Sequence, residues 1–195
     1  MSRLQVLFGN PRLALGALFT LLLAAGAVVG SGADFTASSA NPANTFASGT
    51  LSMVNSKQGV AVLQASGMRP GDAASVGTVD IENTGSLAGT FTLTRSTPVD
   101  SDAGNPMSGK LGVTVVDCGT FVGSTAPTCG DVDDVVKYSG GTLAEMGTPG
   151  HTVGALGNYP SGAKHRYRFS VALDASAGDA YQGDSSSVQF DFNAV

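Results

Sequence analysis

Few residues in this chain could do chemistry, and their spacing limits what that chemistry could be. The only histidines, His151 and His165, stand in or beside glycine-rich loop sequence, outside any helical His-Glu-x-x-His arrangement. A hydrolytic zinc centre needs about three protein ligands and an open position for water. A carboxylate could join the two histidines, but solvated loop histidines are the simpler expectation. Asp100-Ser101-Asp102-Ala103-Gly104-Asn105 starts like a calcium loop. It lacks the third oxygen ligand, the glycine in register and the closing glutamate, and so reads as a turn with solvated acids. Asp131, Asp133 and Asp134 could hold a cation weakly, or simply be an acidic loop. Serines are plentiful, yet no Gly-x-Ser-x-Gly elbow is present and neither histidine has positional support as a triad base. Arg166 and Arg168, with Tyr159 and Tyr167 near, could bind a sugar or an anion; the solvated face of a sheet explains the same alternation. No catalytic residue, metal ligand or cofactor is expected.

The cysteines are two, Cys118 and Cys129. In an exported chain such a pair is a disulfide before it is a metal site or a nucleophile, and export is what the N-terminus indicates. Arg3 and Arg12 flank a short mixed stretch, and Leu13 to Val29 is a run of 17 residues without charge. That is the layout of a secretory signal, although the run approaches the length of about 20 residues that spans a bilayer. Ser31 and Ala33 have the spacing a signal peptidase reads, which sets the expected mature start at Asp34. Residues 1–33 are then the signal peptide, and 34–195 form one domain with chain enough for a single core. The signal takes two basic residues and no acidic one, leaving eight basic against fifteen acidic and a net charge of −7. So acidic a chain has no electrostatic footprint for nucleic acid.

Positioning falls to short strands. Twenty-seven glycines, few charges and no tryptophan describe strands and tight turns rather than helices. Residues 34–44 carry one aromatic, Phe35, and read as a loosely held N-terminal arm. Thr45 to Met53 suggests a strand bent at Gly49, and Gly59 to Gln64 a second apolar stretch closed by the turn Met68-Arg69-Pro70-Gly71-Asp72. Val79 and Ile81 alternate with Asp80 and Glu82, and Phe91 and Leu93 with threonines. With Asn83-Thr84-Gly85-Ser86 between them, these two strands are expected to form a hairpin. Leu111 to Val116 is another strand. Asp117 to Pro160 reads as a long decorated connection with one or two short strands near Val135 to Tyr138. Clear period-two alternation returns at Tyr167, Phe169, Val171 and Leu173, and at Val188, Phe190, Phe192 and Ala194. Seven to nine strands and no amphipathic helix predict an all-β, two-layer antiparallel sandwich, jelly-roll or immunoglobulin-like in topology.

Four stretches together resemble the TasA and camelysin family of exported bacterial proteins, whose members form extracellular fibres in biofilm matrix. They are Thr45-Phe46-Ala47-Ser48-Gly49-Thr50-Leu51, Met68-Arg69-Pro70-Gly71-Asp72, Glu82-Asn83-Thr84-Gly85-Ser86-Leu87 and Tyr181-Gln182-Gly183-Asp184-Ser185, in that order behind the signal. Residues 97–165 match poorly. The resemblance implies a jelly roll, a dedicated signal peptidase as processing partner, and homopolymerisation in which the arm (Asp34, Phe35, Thr36, with Phe46 and Leu51 at its base) pairs with a neighbouring subunit. Other matrix or cell-surface proteins are further partners it allows. Camelysin-like members are catalogued as metallopeptidases, but no catalytic motif carries over to this chain. The expected function is a secreted structural protein of the extracellular matrix or cell surface. The rivals are a camelysin-like metalloendopeptidase and a carbohydrate- or cell-wall-binding jelly roll.

Overall fold

A computed structural model of the chain describes residues 11–12, 15–20 and 48–195. Two compact units divide it, Met1–Phe46 and Ala47–Val195. In the first, residues 15–20 are helical. Among the described residues no helix is long and apolar enough to cross a membrane. The cleavage position before Asp34, the arm 34–44 and Phe46 lie outside the described residues.

The second unit is an all-β sandwich. Its strands are β1 (Met53–Asn55), β2 (Ser75–Asn83), β3 (Gly89–Arg95), β4 (Val99–Asp100), β5 (Leu111–Thr120), β6 (Val135–Thr142), β7 (Gly157–Tyr159), β8 (Lys164–Leu173), β9 (Ser186–Ser187) and β10 (Phe190–Ala194). One antiparallel sheet runs β1-β2-β8-β5-β6 and faces a second, β10-β3-β7, while β4 and β9 pair as a short ribbon. The periodicity of β8 explains its central place. Tyr167, Phe169, Val171 and Leu173 are buried, and the residues between them are half-buried on the other face. Between the layers Phe169 meets Phe190 and Phe192, with ring centroids 4.7 and 6.4 Å apart, and Tyr167 meets Phe192 at 5.9 Å. Aromatic pairs in such tilted geometry add to the stabilisation from burial alone.

Three sequence expectations are corrected. The strands around Asn83-Thr84-Gly85-Ser86 form no hairpin: β2 pairs with β1 and β8, and β3 with β10 and β7. The segment is a corner that carries the chain from one layer to the other. Its clasp is Asn83, fully buried, whose side-chain amide donates to the Leu87 and Tyr159 carbonyls (2.8 Å each) while Oδ1 accepts the Gly85 N–H at 3.0 Å. In the described part of the expected Thr45–Met53 strand, residues 48–52 are not a ladder strand. Instead Thr50 and Ser52 bond the corner, their carbonyls accepting amides of residues 84–87, which brings the first and third family-like stretches together. The span from Asp117 to Pro160 is more regular than its glycines suggest, since β5 continues to Thr120 and β6 has eight residues. The turn at Met68–Asp72 forms as expected, with Gly71 at φ 79° and the Asp72 amide on the Arg69 carbonyl.

Val62 and Leu63 cross the inner face of β2 at Gly77, where a Cβ would collide with the Val62 backbone. Glycine there lets an irregular segment stand in for a strand in the second layer.

Candidate functional site

Two features lie toward opposite ends of the β5–β8 pair. The first is an ionic cluster inside the sandwich, at the Asp117 end. His165 is not a solvated loop residue: it shares the inward face of β8 with Tyr167 and Phe169, and its ring stacks on Tyr159 at 4.1 Å. Its Nδ1 lies 3.1 Å from both carboxylate oxygens of Asp117. Irregular pairing of β5 with β8 between Asp117 and Thr120 accompanies this placement, as bulges commonly re-aim a side chain. Lys137 of β6 points its Nζ to the same carboxylate, 3.8 Å from Oδ2, and donates to the Ala155 and Leu156 carbonyls at 3.1 and 3.0 Å. The side chains of Asp117, Lys137 and His165 are only 7, 12 and 16 % exposed. Burial, and secondarily the Asp117 charge, pushes the Tyr159 hydroxyl far above its ordinary range.

The second feature is a cleft of about 1480 Å³ between the layers. Its floor includes Leu111 and Leu173, and its walls include Val62 and Met68 on one side and Val188 and Phe190 on the other. β10 has β3 on one edge, and among the described residues no strand pairs with its other edge.

The remaining sequence candidates separate. Cys118 and Cys129 are bonded, as expected. Arg166 is not a free anion receptor, because its Nε and an Nη donate to the Asp80 carboxylate at 2.7 and 2.9 Å. That hydrogen bond first, and the charge of Asp80, hold the guanidinium above its usual range. Arg166 and Lys164 also approach the ring of Phe121. His151 stands in a loop 3.8 Å from Glu145. Asp134 accepts the Gly130 amide, and Asp102 folds onto Gly104 and Asn105. Among the described residues no group of three or more His, Cys, Asp or Glu is arranged to hold a metal. Leu51, from the expected assembly set, is partly exposed and would touch any Cβ placed on Gly89.

Asp100 is not the solvated turn acid its sequence suggests: it ties β4 to the 3-10 turn Met107–Gly109 beside the cleft. The Ser108 amide and hydroxyl donate to it at 2.8 and 2.6 Å. Burial works to raise its pKa, but the bonds from Ser108 outweigh this and hold the carboxyl below its ordinary range. A carboxyl depressed on folding stabilises the protein above its unfolded pKa, and that contribution fades as pH falls through the folded value. Asp100→Asn therefore narrows the stability difference between neutral pH and about pH 3, measured by denaturant unfolding at both. An unchanged difference would rule out this contribution.

No protein-family model matches the chain, and no curated protein matches it.

Proposed function

We propose that the protein is a secreted structural subunit that builds extracellular fibres or biofilm matrix by donating residues 34–44 to the cleft of a second copy. The observation that carries this reading is a cleft with apolar side chains among its walls, beside an edge of β10 that no strand among the described residues pairs with. An added strand gains main-chain hydrogen bonds from such an edge and side-chain pockets from such a cleft. At about 3.3 Å per residue, the eleven-residue arm spans roughly twice the length of the five-residue β10. Its base is anchored, since Thr50 and Ser52 are bonded to the 84–87 corner. Phe35 is the one large apolar side chain it could offer a pocket. Donation from copy to copy is head-to-tail and does not close, so it propagates. The likeness of the four stretches to the TasA and camelysin family supports the same reading, and with it a jelly-roll ancestry for the sandwich.

Deleting 34–44 is expected to leave a folded monomer that forms no filaments by electron microscopy and sedimentation. Phe35→Ala is expected to weaken assembly at unchanged melting temperature. Filaments of full yield from the truncated protein would sink arm donation, and a full-length protein monomeric at every concentration and pH would sink the structural reading. Chelator-sensitive casein hydrolysis lost in a His151→Ala, His165→Ala variant would favour the peptidase instead.

A further inference from the structure

We infer that Lys137 and Asp117 are the partners of an intramolecular isopeptide bond between β6 and β5, formed with His165 moving the proton. A primary amine and a carboxyl meet inside a protein core, on neighbouring strands, with a titratable ring against the carboxyl. Each part is held for the reaction. Lys137 Nζ is fixed by the Ala155 and Leu156 carbonyls and stands 3.8 Å from Asp117 Oδ2. Bond formation begins once it comes within ~3–3.5 Å of Cγ. Asp117 Oδ1 accepts the Gly119 N–H at 3.0 Å, which supplies a donor where negative charge develops as the carbonyl carbon becomes tetrahedral. His165 Nδ1 reaches both oxygens at 3.1 Å, and its ring is fixed by the stack on Tyr159.

The free amine is the nucleophilic form. The steps balance without an oxidant or a co-reactant. A proton passes from the Lys137 ammonium to Asp117 Oδ2, and the free amine attacks Cγ to form the C–N bond. A second amine proton passes through His165 to Oδ2, the Cγ–Oδ2 bond breaks and water leaves. An ammonium and a carboxylate become one secondary amide and one water. The product fastens β6, an edge strand of its sheet, to the body of the sandwich.

The test is the intact mass of the purified, reduced protein, with its N-terminus fixed by sequencing. It is expected to fall below the sequence mass by one water, and tandem fragmentation is expected to yield a branched peptide joining the segments around Asp117 and Lys137. Lys137→Arg and Asp117→Ala are expected at full mass. His165→Gln is expected to cross-link about a hundredfold more slowly, in the range of general acid–base assistance. Wild-type protein at full mass after prolonged incubation would overturn the bond, and so would a water loss confined to a single linear peptide. Since both are read on wild-type protein, they hold whether or not the variants fold. Undiminished cross-linking in His165→Gln would overturn the role of the histidine alone.

Discussion

Asn83→Ala lowers stability by about 2 to 5 kcal/mol, since two carbonyls, that of Tyr159 buried and that of Leu87 part-buried, lose a partner at about 1–3 kcal/mol each, eased by whatever water enters. The Leu87 and Tyr159 carbonyls accept from this one side chain, and the Gly85 amide donates to it while also meeting the Ser52 carbonyl at 3.3 Å. Equilibrium denaturation against the neighbouring Thr84→Ala measures the effect. Thr84 is exposed and meets only the Ser52 hydroxyl, at 3.1 Å, so that control is expected to stay within about 0.5 kcal/mol. A loss below about 1 kcal/mol for Asn83→Ala would mean that the corner is held by its backbone, not by its clasp.

Phe169→Ala is expected to cost about 4 kcal/mol, within the range for deleting a buried aromatic ring. Phe169 is fully buried on β8, the strand flanked by both β2 and β5, and its ring lies against Phe190 and Phe192 of the facing sheet. Removing it takes away the floor on which β10 rests, so the cavity is not easily closed by collapse. Phe169→Leu keeps most of the volume and is expected to cost under about 1.5 kcal/mol. Urea midpoints for the pair test this, and equal losses from the two substitutions would show that ring volume is not what supports β10.

What the sequence disclosed follows from the range of each interaction. The inward faces of β8 and β10 were legible because period-two alternation is local. The disulfide was legible because only two cysteines exist. The corner was not, since Asn-Thr-Gly-Ser serves a hairpin and a crossing equally well; the deciding partner, the Tyr159 carbonyl, is 76 residues away. His165 could have been found by extending the Tyr167–Phe169 alternation two residues toward the N-terminus, three residues short of Gly162, where the sequence suggests a loop. Lys137 and Asp117 could not have been paired, because β5 and β6 meet through two register irregularities that no sequence count anticipates. The cleft was hidden for a similar reason: its wall at Val62 exists only because Gly77 admits the chain.

The short anchorage of β1 bears on how a fibre would fail. β1 holds to β2 through three residue pairs, Met53 with Asn83, Val54 with Glu82 and Asn55 with Ile81. Tension in a filament joined by its arms would enter each subunit through this root and the Thr50 and Ser52 bonds to the corner. An antiparallel pair pulled along its axis is loaded in shear, its bonds sharing the force together. That force would cross between layers at Asn83, the one residue that pairs with β1 through its backbone and grips the facing sheet with its side chain. Such a fibre would yield at the roots of its arms, where a few bonds can break and re-form, before any subunit surrendered its core.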